Sequence, residues 1–128
     1  MAWSDRLLAR GDSNRRGAEA EQIALEWLCR QGLTEIRRNF RCRGGEIDLI
    51  MQDRATLVFV EVRRRTRATH GDAAASVTRT KQRRLIIAAQ LFLQRYRMPP
   101  PCRFDVIAFD GDNMHWLKNA FEATPESF

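Results

Sequence analysis

The chain has 128 residues, a length at which one domain buries enough apolar surface to fold without disulfide staples. Its 44% hydrophobic content excludes a disordered chain, and no apolar run approaches membrane-spanning length. Lys and Arg number 22 against 16 Asp and Glu, a net charge of +6, so an anionic partner is expected, nucleic acid first.

Of those 22 basic residues 20 are Arg, and only Lys81 and Lys118 are Lys. Arginine offers a planar, permanently charged fork that matches phosphate; a GC-rich codon bias would account for part of the excess. Met1 to Arg10 lacks the apolar centre of a secretion signal, which predicts a cytoplasmic protein. Residues 1–14 read as a loose polar arm or a short helix, 15–122 as a single domain and 123–128 as a frayed tail. Cys29, Cys42 and Cys102 are odd in number and lack CxxC spacing, which argues against a disulfide framework or a zinc site and for buried free thiols.

Along the chain, Ala20, Ile23, Ala24, Trp27 and Leu28 recur at helical spacing, and Gly32 supplies a C-terminal stop. Three strands are predicted next: Thr34 to Arg41, Glu46 to Gln52 after the Gly44-Gly45 turn, and Thr56 to Val62. They read as an antiparallel meander. Leu57 to Val60 is apolar on both faces, so the third strand should be central. Arg63 to Asp72 reads as a basic loop. A second helix is predicted from Thr78 to Arg97, with Thr78 or Thr80 as cap and Pro99-Pro100-Pro101 as its stop. A strand from Arg103 to Phe109 and a short one from His115 to Lys118 complete the chain. The order is αβββαβ with a terminal strand. A helix between the third and fourth strands implies a crossover, hence an α/β fold with a mixed sheet flanked by helices.

The segment Glu46-Ile47-Asp48-Leu49-Ile50 is followed, thirteen positions after Asp48, by Glu61-Val62-Arg63. Strand alternation puts Glu46 and Asp48 on one face, with Ile47 and Leu49 on the other, and puts Glu61 and Arg63 together. Pairing of the two strands would bring Asp48 and Glu61 together at one end of the sheet. Two carboxylates beside a buried strand are costly unless a cation compensates them. Mg²⁺ suits such a place, because it takes one or two carboxylates and completes its shell with water and phosphate. The plainer alternative is a Glu61–Arg63 ion pair with Asp48 capping a turn.

Glu46 to Ile50, Val58 to Arg63 and Arg103-Phe104-Asp105-Val106 together resemble the YraN family of small bacterial proteins. Gly17 to Leu28, Arg38 to Arg41, Ser76-Val77-Thr78, Lys81-Gln82 and Asn119-Ala120-Phe121 also fit, so the resemblance covers about Gly17 to Phe121. That family is similar to the restriction-endonuclease-like superfamily and, within it, to archaeal Holliday-junction resolvases. The resemblance implies an αβββαβ core and a PD-(D/E)xK site. By position, Asp48 and Glu61 match the two acidic ligands of Mg²⁺ or Mn²⁺, and Glu21 matches a helix glutamate of resolvase-like members, with Glu19 a weaker match. Arg63 stands where the motif has lysine; arginine keeps the charge but cannot act as a base. Lys81, on the second helix, could reach the site as a migrated lysine or serve as an ordinary phosphate contact.

Arg64, Arg65 and Arg67 follow the motif, and Arg79, Lys81, Arg83 and Arg84 cluster at the start of the second helix, where basic residues oppose the helix dipole. These seven are the predicted nucleic-acid contacts, against the alternative of a solvated face. Three functions compete: a Mg²⁺-dependent endonuclease on branched or structured DNA, a non-catalytic nucleic-acid-binding module on the same fold, and a protein-interaction scaffold. Resolvase-like relatives act as dimers, which leaves a homodimer open.

Overall fold

A computed structural model describes residues 12–65 and 77–123, with side chains from Gly17 to Arg64 and from Val77 to Ala123. Its elements are α1 (Asp12–Arg30), β1 (Thr34–Cys42), β2 (Gly45–Asp53), β3 (Thr56–Arg65), α2 (Arg79–Leu93), β4 (Cys102–Asp110) and β5 (Asn113–Phe121). The expected tail and most of the expected arm lie outside the described residues; α1 already starts at Asp12.

The five strands form one sheet in chain order. β1, β2 and β3 are an antiparallel meander, β4 joins β3 in parallel through α2, and β5 returns antiparallel. The mixed sheet flanked by helices is therefore the observed architecture. β3 is central, as its doubly apolar run requires: Leu57 and Phe59 enter the core under α2, and Val58 and Val60 the core under α1. Beneath α2, ring contacts run Phe40–Phe92, Phe92–Phe59, Phe59–Phe104 and Phe104–Phe121, tying β1 to β5 through the core. Among the described residues, no helix is long and apolar enough to cross a membrane.

Three local expectations are corrected. The buried stripe of α1 is Ala20, Ala24, Leu25 and Leu28, while Ile23 is 50% exposed. The helix is thus rotated so that Glu21, four residues before Leu25 and seven before Leu28, lies towards the sheet. The thiols are not buried either: Cys29 and Cys102 are exposed and Cys42 is half-buried. Cys29 follows Leu28 by about 100° of helix, off the apolar stripe. α2 ends at Leu93 rather than Arg97, and Thr78 caps it by accepting from the Lys81 backbone N–H at 3.2 Å.

Asp105 is buried on β4, and its carboxylate accepts from Arg103 Nε at 3.0 Å, Trp116 Nε1 at 3.0 Å and the Asn119 N–H at 2.9 Å. Arg103 NH1 also donates to Asp53 at 3.0 Å, so one arginine joins the end of β2 to β4 and, through Asp105, to β5. Asp105→Ala leaves several partly buried donors without an acceptor. It should cost about 3 kcal/mol in urea unfolding; a loss below about 1 kcal/mol would show that the network is incidental.

Candidate functional site

The site begins where β2 and β3 part. Their pairing runs from Asp53↔Thr56 to Leu49↔Val60 and stops there. Beyond it the Val62 N–H donates at 2.8 Å to Asp48 Oδ2, so a side chain takes the place of a ladder carbonyl. Strand alternation also fails at this point. Ile47 packs in the α2-side core and Leu49 in the α1-side core, although two residues apart they should share a face. The opposing strand turns with it: Asn39, between Arg38 and Phe40, has φ of 49°, the left-handed region that Asn tolerates. The expected grouping of Ile47 with Leu49 is thus overturned by a coordinated kink at Asn39 and Asp48, which turns the end of the hairpin against the sheet.

The kink sets the Asp48 carboxyl beside Glu61, on the N–H of the next residue, Val62. Burial, the Glu61 charge and the hydrogen bond to Glu61 push the Asp48 carboxyl up to about 8, against the Val62 N–H, which pulls it down. Asp48 therefore keeps its proton near neutral pH. Glu21 approaches from α1: burial raises its carboxyl, the nearby Asn39 side chain and the Arg41 charge lower it, and the charges of Glu61 and Glu46 raise it further.

Cations meet Glu61 from two sides. Lys81 Nζ lies 3.3 Å and Arg63 NH1 3.9 Å from Glu61 Oε2, whose side chain is 8% exposed. The Arg63 Nε is buried and finds no acceptor among the described residues. An open cleft lined by Glu46, Glu61, Lys81, Arg84 and Leu85 leads to the carboxylate. Gly45 lets this wall form. A Cβ there would overlap the Arg84 carbonyl oxygen and stand 3.0 Å from the Ala88 nitrogen, both unyielding helix backbone. Gly45→Ala should push α2 off β2 and lower stability by about 1–3 kcal/mol; an unchanged unfolding midpoint would contradict this contact.

The model of the uncharacterised protein family UPF0102 matches residues 20–109, which contain every member of the cluster. The chain belongs to the UPF0102 family. A UPF0102 protein of Herminiimonas arsenicoxydans is 65% identical over 107 residues, covering 84% of this chain and 86% of its own. One of Janthinobacterium sp. (strain Marseille) is 64% identical, covering 84% and 87%, and one of Aeromonas hydrophila is 52% identical, covering 83% and 84%.

In this UPF0102 chain the fold gathers Asp48, Glu61, Arg63, Lys81 and Arg84 at one place, with Glu21 close enough for its charge to act on Asp48. It does not gather every predicted contact. Arg64 alternates away from Glu61, and Arg79 and Arg83 are exposed on α2 without lining the cleft. The Arg65 side chain and Arg67 lie outside the described residues. Asn39 was missed by sequence reasoning; its signal was an Asn, a poor strand former, in the middle of a strand.

Among the described residues, no group of three or more His, Cys, Asp or Glu is placed to enclose a metal ion. The donor set is two carboxylates forced together beside an open cleft. That fits a hard cation completing its shell with water and phosphate oxygens, and does not fit an all-protein cage.

Proposed function

We propose that this UPF0102 protein is a metal-dependent endonuclease of the restriction-endonuclease-like superfamily, acting on branched or otherwise structured DNA. One observation carries the reading: a buried Glu61 carboxylate with the Asp48 carboxyl beside it, flanked by Lys81 and Arg63, at the foot of an open cleft. An ion-pair-only reading explains Glu61 with Arg63 and Asp48 with the Val62 N–H, but gives no account of two carboxyls set side by side at an open cleft.

Asp48 and Glu61 would hold the Mg²⁺ or Mn²⁺ ion. When bound, such an ion lowers the pKa of water and stabilises charge developing on a phosphodiester. Lys81 takes the part of the motif lysine, because its ammonium is the nearer cation to Glu61 and can exchange a proton, as the guanidinium of Arg63 cannot. Arg63 offsets the charge of Glu61 from the other side. Glu21 with Asn39 supports the acidic side, and Arg84 on the cleft wall guides the backbone.

Arg63 in the lysine position favours a second reading, a binding module without turnover. Titration of Mg²⁺ or Mn²⁺ against a panel of branched and linear DNAs separates the two. Metal-dependent cleavage is expected. Salt-sensitive binding with no cleavage at any metal concentration would establish the binding module instead, and no binding even at low salt would sink both and leave the scaffold.

A further inference from the structure

Arg37 and Arg38 are adjacent in β1 but are treated oppositely by the fold. Arg38 donates to Glu35 at 3.0 Å and to Gln22 at 2.7 Å. Arg37 pairs across the strand with Ile50, which lies in the α2-side core, and its guanidinium stands 5.0 Å from the centroid of the Phe40 ring. Arg95, just past the end of α2, stands over the same ring at 5.8 Å and over Phe92 at 3.8 Å. Its Nε donates to the Phe92 carbonyl at 3.1 Å, which holds the fork in place. Both arginines are exposed, and neither meets a carboxylate among the described residues. Two like charges fixed over one ring repel each other unless an anion joins them. Stacking on aromatic faces orders both forks in advance, so little entropy remains to be lost on binding phosphate.

The pair sits at a defined distance from the candidate site. α2 runs from Lys81 and Arg84 at the cleft, past the Gly44–Gly45 turn, to Phe92 against Phe40. Lys81 to Arg95 is about 20 Å at helical rise. That spans roughly six phosphates of one DNA strand. Exposed Arg43 lies on the hairpin turn between the two ends.

Taking the nucleic-acid reading above as its basis, we infer that Arg37 and Arg95, stacked on Phe40, form a second phosphate clamp on the α2–β1 face. It binds the same DNA backbone that enters the cleft. The clamp sets the register of the substrate and reads no sequence, since it offers only backbone contacts.

The test is fluorescence anisotropy of the full chain with a labelled duplex of roughly 20 bp, titrated across a range of salt. R37Q/R95Q should weaken binding about tenfold and reduce the slope of log K against log salt by about 2, one for each lost phosphate contact. R37K/R95K should keep the slope. R30Q/K118Q removes the same charge from the α1 side of the sheet and should leave the slope unchanged. If the wild type binds but R37Q/R95Q keeps its slope, or if R30Q/K118Q lowers the slope equally, the clamp is wrong while the nucleic-acid reading stands. If the wild type binds no duplex at low salt, both fall. Thermal midpoints of the variants, expected within a few degrees of the wild type, establish that all are folded.

Discussion

Glu61→Ala is expected to reduce metal-dependent DNA cleavage by about a thousandfold or more, because it removes a metal ligand together with the anchor for two cations. Lys81→Met should lose about a hundred- to a thousandfold in single-turnover rate while retaining most of its affinity for DNA, since it alters the transition state more than ground-state binding. Arg63→Lys should remain within about tenfold of the wild type, because a lysine there still neutralises Glu61. These three rates discriminate between assignments. The geometry favours Lys81, whose Nζ is 3.3 Å from Glu61 Oε2, over Arg63 at 3.9 Å. A Lys81→Met enzyme as fast as wild type, with Arg63→Lys strongly accelerated, would return the lysine role to position 63 and refute the assignment made here.

In the absence of metal, the protein should lose stability as pH rises from about 5 to about 8.5, and Asp48→Asn should abolish most of that loss. The sign follows from the raised carboxyl. Asp48 is held up to about 8 in the fold by burial and by Glu61, against an ordinary value of 3.8. Below the ordinary value it is protonated whether folded or unfolded, and its contribution to stability is fully present. As pH rises towards about 8 the unfolded chain releases the proton while the fold retains it, so stability falls by up to about 1.4 kcal/mol per pH unit. A divalent cation held by Asp48 and Glu61 would reverse this loss by replacing the proton. Mg²⁺ at a hundredfold excess over its Kd should therefore add about 2.7 kcal/mol, and raise the thermal midpoint more at pH 8.5 than at pH 6. Calorimetric scans with and without Mg²⁺ measure both effects. A metal-free midpoint that is flat across this range, or one that falls as steeply in Asp48→Asn, would show that the Asp48–Glu61 contact does not carry this proton.

Much of this was legible along the chain. The doubly apolar run at Leu57 to Val60 announced a central strand, and the helix between β3 and β4 announced the parallel pairing. Both signals are local, and the tertiary contacts agree with them. Asp48 and Glu61 were legible as a pair because the short β2–β3 turn leaves few registers. Their mode of approach was not. Simple alternation misplaces Ile47 against Leu49, since the kink at Asn39 and Asp48 involves two strands at once.

What the sequence determined by itself was the set of elements, their order, the basic excess and the acidic pair. Each is written in hydrophobic period, turn residues or composition within a short window. Only the tertiary structure decided which of the basic residues have work near the acids. Lys81 reaches Glu61 from twenty residues away because Gly45 lets the helix backbone press directly on the β1–β2 turn. Arg37 and Arg95 share one ring because α2 ends against Phe40. Charge is counted along a chain, but its partners are chosen by long-range packing, and no period in the sequence encodes that choice.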